Sequence, residues 1–92
     1  MRSLVPGDVL MLTQRPLDKV TGKPFVWRWF GVVKTITHSK TMVLNLSNDK
    51  VIAAYRYQIE ETSTLLEEPD WPDGVRVLRL RAILEGRIDL EA

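Results

Sequence analysis

The sequence predicts a small, mainly β domain of short antiparallel strands with a C-terminal extension. Three observations lead there. The run Trp29–Glu61, WFGVVKTITHSKTMVLNLSNDKVIAAYRYQIEE, divides into three apolar stretches separated by two short polar turns. These stretches are rich in β-branched and aromatic residues that alternate with period two, as strands with distinct faces do. Gly31 interrupts the first of them, where a glycine marks a bulge or bend that lets a small sheet curl.

In chain order, Pro6-Gly7-Asp8 is turn chemistry, and Val9–Thr13 reads as a first strand. Residues 14–25, QRPLDKVTGKPF, hold two prolines, a glycine and mixed charge without a sustained period, so they form a long loop. Functional loops are over-represented at that length. Val26–Thr37 is the second strand, with Phe30, Val32 and Ile36 on one face and Trp27, Trp29, Val33 and Thr35 on the other. After the turn His38-Ser39-Lys40-Thr41, a third strand alternates Met42, Leu44 and Leu46 with Val43, Asn45 and Ser47. Asn48-Asp49 suits a tight two-residue hairpin into a fourth strand, Val51–Ile59. The boundaries expected are a barrel over residues 1–61, an acidic connector over 62–74 and an extension over 75–92 packed on or beside the barrel.

The extension has two readings. Val77, Leu80, Leu84 and Ile88 recur at helical spacing, with Asp73 at the start and Gly86 at the end, which predicts a helix over about 75–85. Val75-Arg76-Val77 with a turn at Glu85-Gly86 makes a hairpin the alternative.

At 92 residues, 45% apolar and 27% charged, the chain suits one domain with a modest core. The absence of cysteine excludes disulfides and thiolate metal sites and fits a reducing compartment. No apolar run approaches the roughly 20 residues that span a bilayer, and Pro6-Gly7-Asp8 arrives too early for the apolar core of a secretory signal. A cytoplasmic protein without membrane contact is expected. Net charge +1 conceals an asymmetry: residues 1–58 carry nine Lys/Arg against three Asp, and residues 59–92 carry four Arg against nine acids. Six acids and no base lie between Glu60 and Asp73.

Gly31-Val32-Val33 and Ile36, then, six residues on, Val43, Leu44 and Leu46, a polar turn and Val51–Glu61 resemble the SH3-like small barrels, including the KOW and Tudor-like groups, over roughly residues 5–61. That resemblance implies a closed antiparallel barrel serving as a protein adaptor, an assembly subunit or a nucleic-acid binder. More narrowly, Pro6-Gly7-Asp8-Val9-Leu10 resembles the start of MazF/PemK-type toxin ribonucleases. It implies Arg28, in Val26-Trp27-Arg28-Trp29-Phe30, as the catalytic arginine, although this stretch has no proline after the Arg where that family has an Arg-Pro pair.

The candidate binding residues are Trp27, Arg28, Trp29, Lys34, Lys40, Tyr55, Arg56 and Tyr57. Aromatic rings stack on bases while arginine contacts phosphate, and a ring cluster can cage a cation. Large aromatics equally fill cores, so these rings are structural if the extension covers them. His38, the only histidine, sits in a turn with no acidic residue near it in sequence to orient it, and the carboxylates of residues 60–73 lack calcium-loop spacing. No catalytic residue, metal or cofactor is expected. The leading expectation is a non-enzymatic interaction module, or small subunit of a larger assembly, that binds a protein partner. The alternatives are nucleic-acid binding by the basic aromatic face and a MazF-like ribonuclease.

Overall fold

The computed structural model describes residues 2–90, so residue 1 and residues 91–92, the outer ends of the expected barrel and extension, lie outside the described residues. Five strands, β1 (Val9–Gln14), β2 (Trp27–Ile36), β3 (Lys40–Asn45), β4 (Val51–Tyr55) and β5 (Ser63–Leu66), form one antiparallel sheet in the order β4-β3-β2-β1-β5. The protein is mainly β as expected, but the sheet does not close: β4 and β5 are its edges.

Alternation buries both faces. Leu10 and Leu12 of β1, Trp29 and Val33 of β2 and Val43 of β3 form an inner cluster with Leu4 and Ile59. Val9, Val32, Leu44 and Leu46 form an outer cluster with Val75, Ala82 and Ile88. Burying an aliphatic or aromatic side chain of this size is worth about 1.5–3 kcal/mol, so both clusters hold the sheet. The simple alternation along β2 fails in one place. Pairing with β3 slips between Val33 and Thr35, and Ile36 packs against the inner cluster with Trp29 instead of staying with Phe30 and Val32. The bulge is therefore at Lys34 and not at Gly31. Gly31 has a different reason to be glycine: a Cβ there would lie 2.5 Å from Val43 Cγ1 and 3.0 Å from Trp29 Cζ3.

Three further expectations are corrected. The fourth strand ends at Tyr55, and the chain continues as α1 (Arg56–Thr62), which buries Ile59 and packs against β1, β3, β4 and β5. The Tyr55 N–H donates to Gln58 Oε1 at 3.2 Å, covering an otherwise orphaned donor at the helix start. The supposed connector supplies β5 and a 3₁₀ turn, Glu68–Asp70, with Leu66 lying opposite Val9 and Leu65 opposite Leu10. The hairpin between β3 and β4 is wider than two residues. Asn45 N–H donates to Lys50 O at 2.8 Å, Asp49 adopts φ 59°, and the Asn45 side chain accepts from Ser47.

The extension is a helix, α2 (Asp73–Leu84), and the hairpin alternative falls. Gly86, at φ 73°, ends it: Gly86 N–H donates to Ile83 O and Arg87 N–H to Ala82 O, the paired bonds of a Schellman motif. Helix α2 covers the Val32 face, not the Trp29 face. Its docking is fastened at two places. Arg79 lies 4.7 Å over the Trp71 ring and donates from Nε to Gly7 O at 2.8 Å. Beyond the helix, Asp89 N–H donates to the carbonyl of the bulged Lys34, and Lys34 Nζ reaches Asp89 Oδ2 at 3.3 Å. At the other end of the chain Asp8 accepts from Val5 N–H at 2.8 Å and from the Arg2 guanidinium at 2.8 and 3.0 Å, and this hydrogen-bonded carboxylate raises the Arg2 pKa above its ordinary value. Among the described residues no helix is long and apolar enough to cross a membrane.

Candidate interaction surface

The eight candidate residues do not form one site. Trp29 is a core residue, 6% exposed, because it lies opposite Leu12 on the curled inner face. Trp27, two residues earlier and opposite Gln14 at the sheet's rim, is 52% exposed. Arg28 is exposed beside it. Lys34 is engaged with Asp89. Lys40, Tyr55, Arg56 and Tyr57 assemble elsewhere, where β3 and β4 meet α1. There Tyr55 and Tyr57 stack with centroids 5.9 Å apart, and Lys40 Nζ, cross-strand from Tyr55, lies 5.6 Å from its ring.

Residues 15–26, read from the sequence only as a loop, form an ordered arm. Phe25 N–H donates to Pro16 O at 3.0 Å, Asp18 N–H to Lys23 O and Gly22 N–H to Asp18 O, both at 2.8 Å. Leu17 and Pro24 pair as an isolated bridge. At the tip the Asp18 carboxylate accepts from Val20 and Thr21 N–H at 2.8 and 2.9 Å, and these bonds hold its pKa below the ordinary aspartate range. Gly22, at φ 68°, completes the reversal. Yet no residue from Gln14 to Arg28 is buried, and Leu17, Val20, Phe25, Val26 and Trp27 are all exposed. Ordering a backbone costs about 1–2 kcal/mol per residue, and this arm recovers none of it through core burial. The signal in the sequence was the set of apolar residues between Pro16 and Phe25, interleaved with Lys19 and Lys23.

Two hollows meet at the base of the arm. A trough of about 590 Å³ runs between Leu12–Pro16 on one side and Ile52, Ala54, Gln58, Ile59 and Thr62 on the other. A smaller, polar pocket of about 330 Å³ is lined by Thr13, Arg15, Arg28, Glu61, Thr62, Ser63 and Thr64. Arg15, Lys19, Lys23 and Arg28 make no ion pair among the described residues. Among the described residues the connector's acids are only partly neutralised, by Arg2 to Glu67 and Arg76 to Glu68. Among the described residues no three His, Cys, Asp or Glu side chains converge as a metal site would require. Comparison with protein-family models, curated proteins and solved structures finds no match to this chain.

Proposed function

We propose that the chain is a non-enzymatic interaction module that docks an extended segment of a protein partner against the arm and the trough at its base. The observation that carries this reading is the arm: an ordered, unburied element with four exposed apolar side chains and three cations, continued by the exposed Trp27 and Arg28 of β2, none of the four cations being ion-paired among the described residues. The fold gains little from such a shape, and a partner would cover it. Apolar anchors ringed by charge are the usual make-up of a recognition patch. Selecting random displayed peptides against the full chain tests it. Enriched peptides are expected to shift the amide resonances of Leu12, Ile52, Ala54 and Ile59 and to lose binding to Thr62→Arg, which obstructs the trough from an exposed position. Failure to enrich any peptide, or enrichment of peptides that bind Thr62→Arg equally well, would reject the proposal.

The exposed Tyr55–Tyr57 stack flanked by Lys40 and Arg56 favours a second reading, single-stranded nucleic-acid binding. A stacked base contributes about 1–3 kcal/mol, and phosphate contacts make affinity fall steeply with salt. Labelled mixed-sequence RNA and DNA should then bind at low salt and be released by Tyr55→Ala. The same incubation reads RNA integrity. A toxin-like ribonuclease would cleave the RNA and lose that activity in Arg28→Ala, whereas the module proposed here leaves it intact.

A further inference from the structure

Strand register puts Thr13 directly opposite Arg28 and Met11 opposite both Phe30 and Thr64. Residues opposite one another share a face, and so do every second residue along a strand. One face of the sheet therefore runs from the apolar Val9, Phe30, Val32 and Leu66 beneath α2 to Thr13, Arg28 and Thr64 at the rim, where Arg15 joins them in the polar pocket. We infer that this pocket is a subsite for one carboxylate, the side chain of an acidic residue in the segment that the trough docks. The inference rests on the docking reading above.

Charge, donors and surroundings select the ligand. Arg15 and Arg28 have no carboxylate partner among the described residues. Their planar guanidinium groups suit bidentate recognition of a carboxylate. Two of the pocket's hydroxyls are already committed, Thr62 donating to Gln58 O and Ser63 to Ile59 O, which leaves Thr13 and Thr64 as hydroxyl donors. Glu61 stands in the same lining, so two positive groups and one negative leave a net charge of +1. That balance fits a monoanion and disfavours a phosphate monoester dianion. A phosphodiester is also a monoanion, but the adjoining trough is lined by Leu12, Ile52, Ala54 and Ile59 and contains no aromatic ring for a base to stack on. Because Thr13, Arg15 and Thr62 line both hollows, an aliphatic residue in the trough puts its neighbour at the pocket.

Titration of the full chain by NMR with N-acetyl-Leu-Glu-amide, N-acetyl-Leu-Gln-amide and dimethyl phosphate tests this, following the Arg15 and Arg28 Nε–H groups and the backbone amides of the trough. The glutamate probe should bind roughly three- to fivefold more tightly than the glutamine probe, the advantage expected of a solvent-accessible ion pair. Arg28→Gln and Arg15→Gln should each shrink that preference, and Glu61→Gln should enlarge it without changing the glutamine probe's affinity. Equal affinities with shifts at Leu12 and Ile59 would overturn the carboxylate subsite while leaving the docking reading standing. Absence of any trough shift with either dipeptide would overturn both. Saturation of the two arginines by dimethyl phosphate at lower concentration than by the glutamate probe would assign the pocket to a phosphodiester and reject the inference.

Discussion

Gly31→Ala is a one-methyl test of how tightly the inner cluster is built. The added Cβ would lie 2.5 Å from Val43 Cγ1, 3.0 Å from Trp29 Cζ3 and 3.2 Å from the Leu44 carbonyl oxygen. Val43 is fully buried, Trp29 nearly so, and the carbonyl belongs to the strand hydrogen-bonded to β2, so no neighbour can retreat into solvent. Overpacking of this kind costs about 1–3 kcal/mol, which for a chain of this length lowers the melting temperature by roughly 5–20 °C. Val43→Ala alone removes buried methyls and is destabilising for the opposite reason. Combined with Gly31→Ala it removes the atom in the closest clash, so the two changes should couple favourably by at least about 1 kcal/mol in a double-mutant cycle. Urea denaturation of the four proteins with unchanged m-values measures it. A Gly31→Ala protein within 0.5 kcal/mol of the parent, or strict additivity of the pair, would refute the close-approach argument.

Trp29→Ala should cost about 3–5 kcal/mol as a large-to-small core change, and Trp27→Ala under about 1 kcal/mol as a surface change; chemical denaturation of both reads the contrast, and comparable losses would contradict the assigned faces. Asp18 provides a pH test. Its folded pKa is depressed by the Val20 and Thr21 N–H groups, so its contribution to arm order is complete above the unfolded value and is lost as pH falls through the lowered folded value. The amide shifts of Val20 and Thr21 should therefore titrate with a midpoint below that of Asp18 in an unstructured peptide of residues 15–25, and a midpoint at or above it would remove the hydrogen-bonded tip.

Helix α2 was legible because Val77, Leu80 and Leu84 recur at its period and Gly86 supplies the left-handed residue that stops it, but the stripe was misassigned: those three side chains face solvent, Ile88 lies beyond the helix, and α2 docks through Val75, Leu78 and Ala82. Helix α1 was not, because Val51, Tyr55, Tyr57 and Ile59 all share one parity and extend the β4 alternation by appearance alone. With seven residues and one buried side chain, its helical form comes from packing across β1, β3, β4 and β5, which no local pattern encodes. Strand β5 hides for a related reason: Ser63-Thr64-Leu65-Leu66 is four residues set between acids, and its pairing with β1 is long-range. Trp29 packs although the extension does not cover it, because the sheet buries both faces: Trp29 lies in the cluster closed by α1 and Phe30 on the face beneath α2. At the candidate surface, Pro16, Gly22 and Pro24 announced a loop. The meeting of Arg15 with Arg28 depends on the Thr13–Arg28 register and could be read only from the folded sheet.

Because the sheet is covered on both sides, the arm can be removed without opening either cluster. None of Gln14–Arg28 is buried, and Pro16 O already accepts from Phe25 N–H at 3.0 Å, so the chain can be closed at that point. Replacing residues 17–24 by Asn-Gly should leave the unfolding free energy within about 1 kcal/mol of the parent, since shortening a flexible loop by half changes its closure entropy by only about 0.6 kcal/mol. Peptides selected on the full chain should nevertheless lose affinity, because Leu17 and Val20 and the charges of Lys19 and Lys23 go with the excised segment. A loss of stability above about 2 kcal/mol would make the arm part of the folding unit. Unchanged peptide affinity would confine recognition to the trough. Stability retained with binding lost is the outcome that follows from an element ordered by its own backbone bonds and left open to solvent.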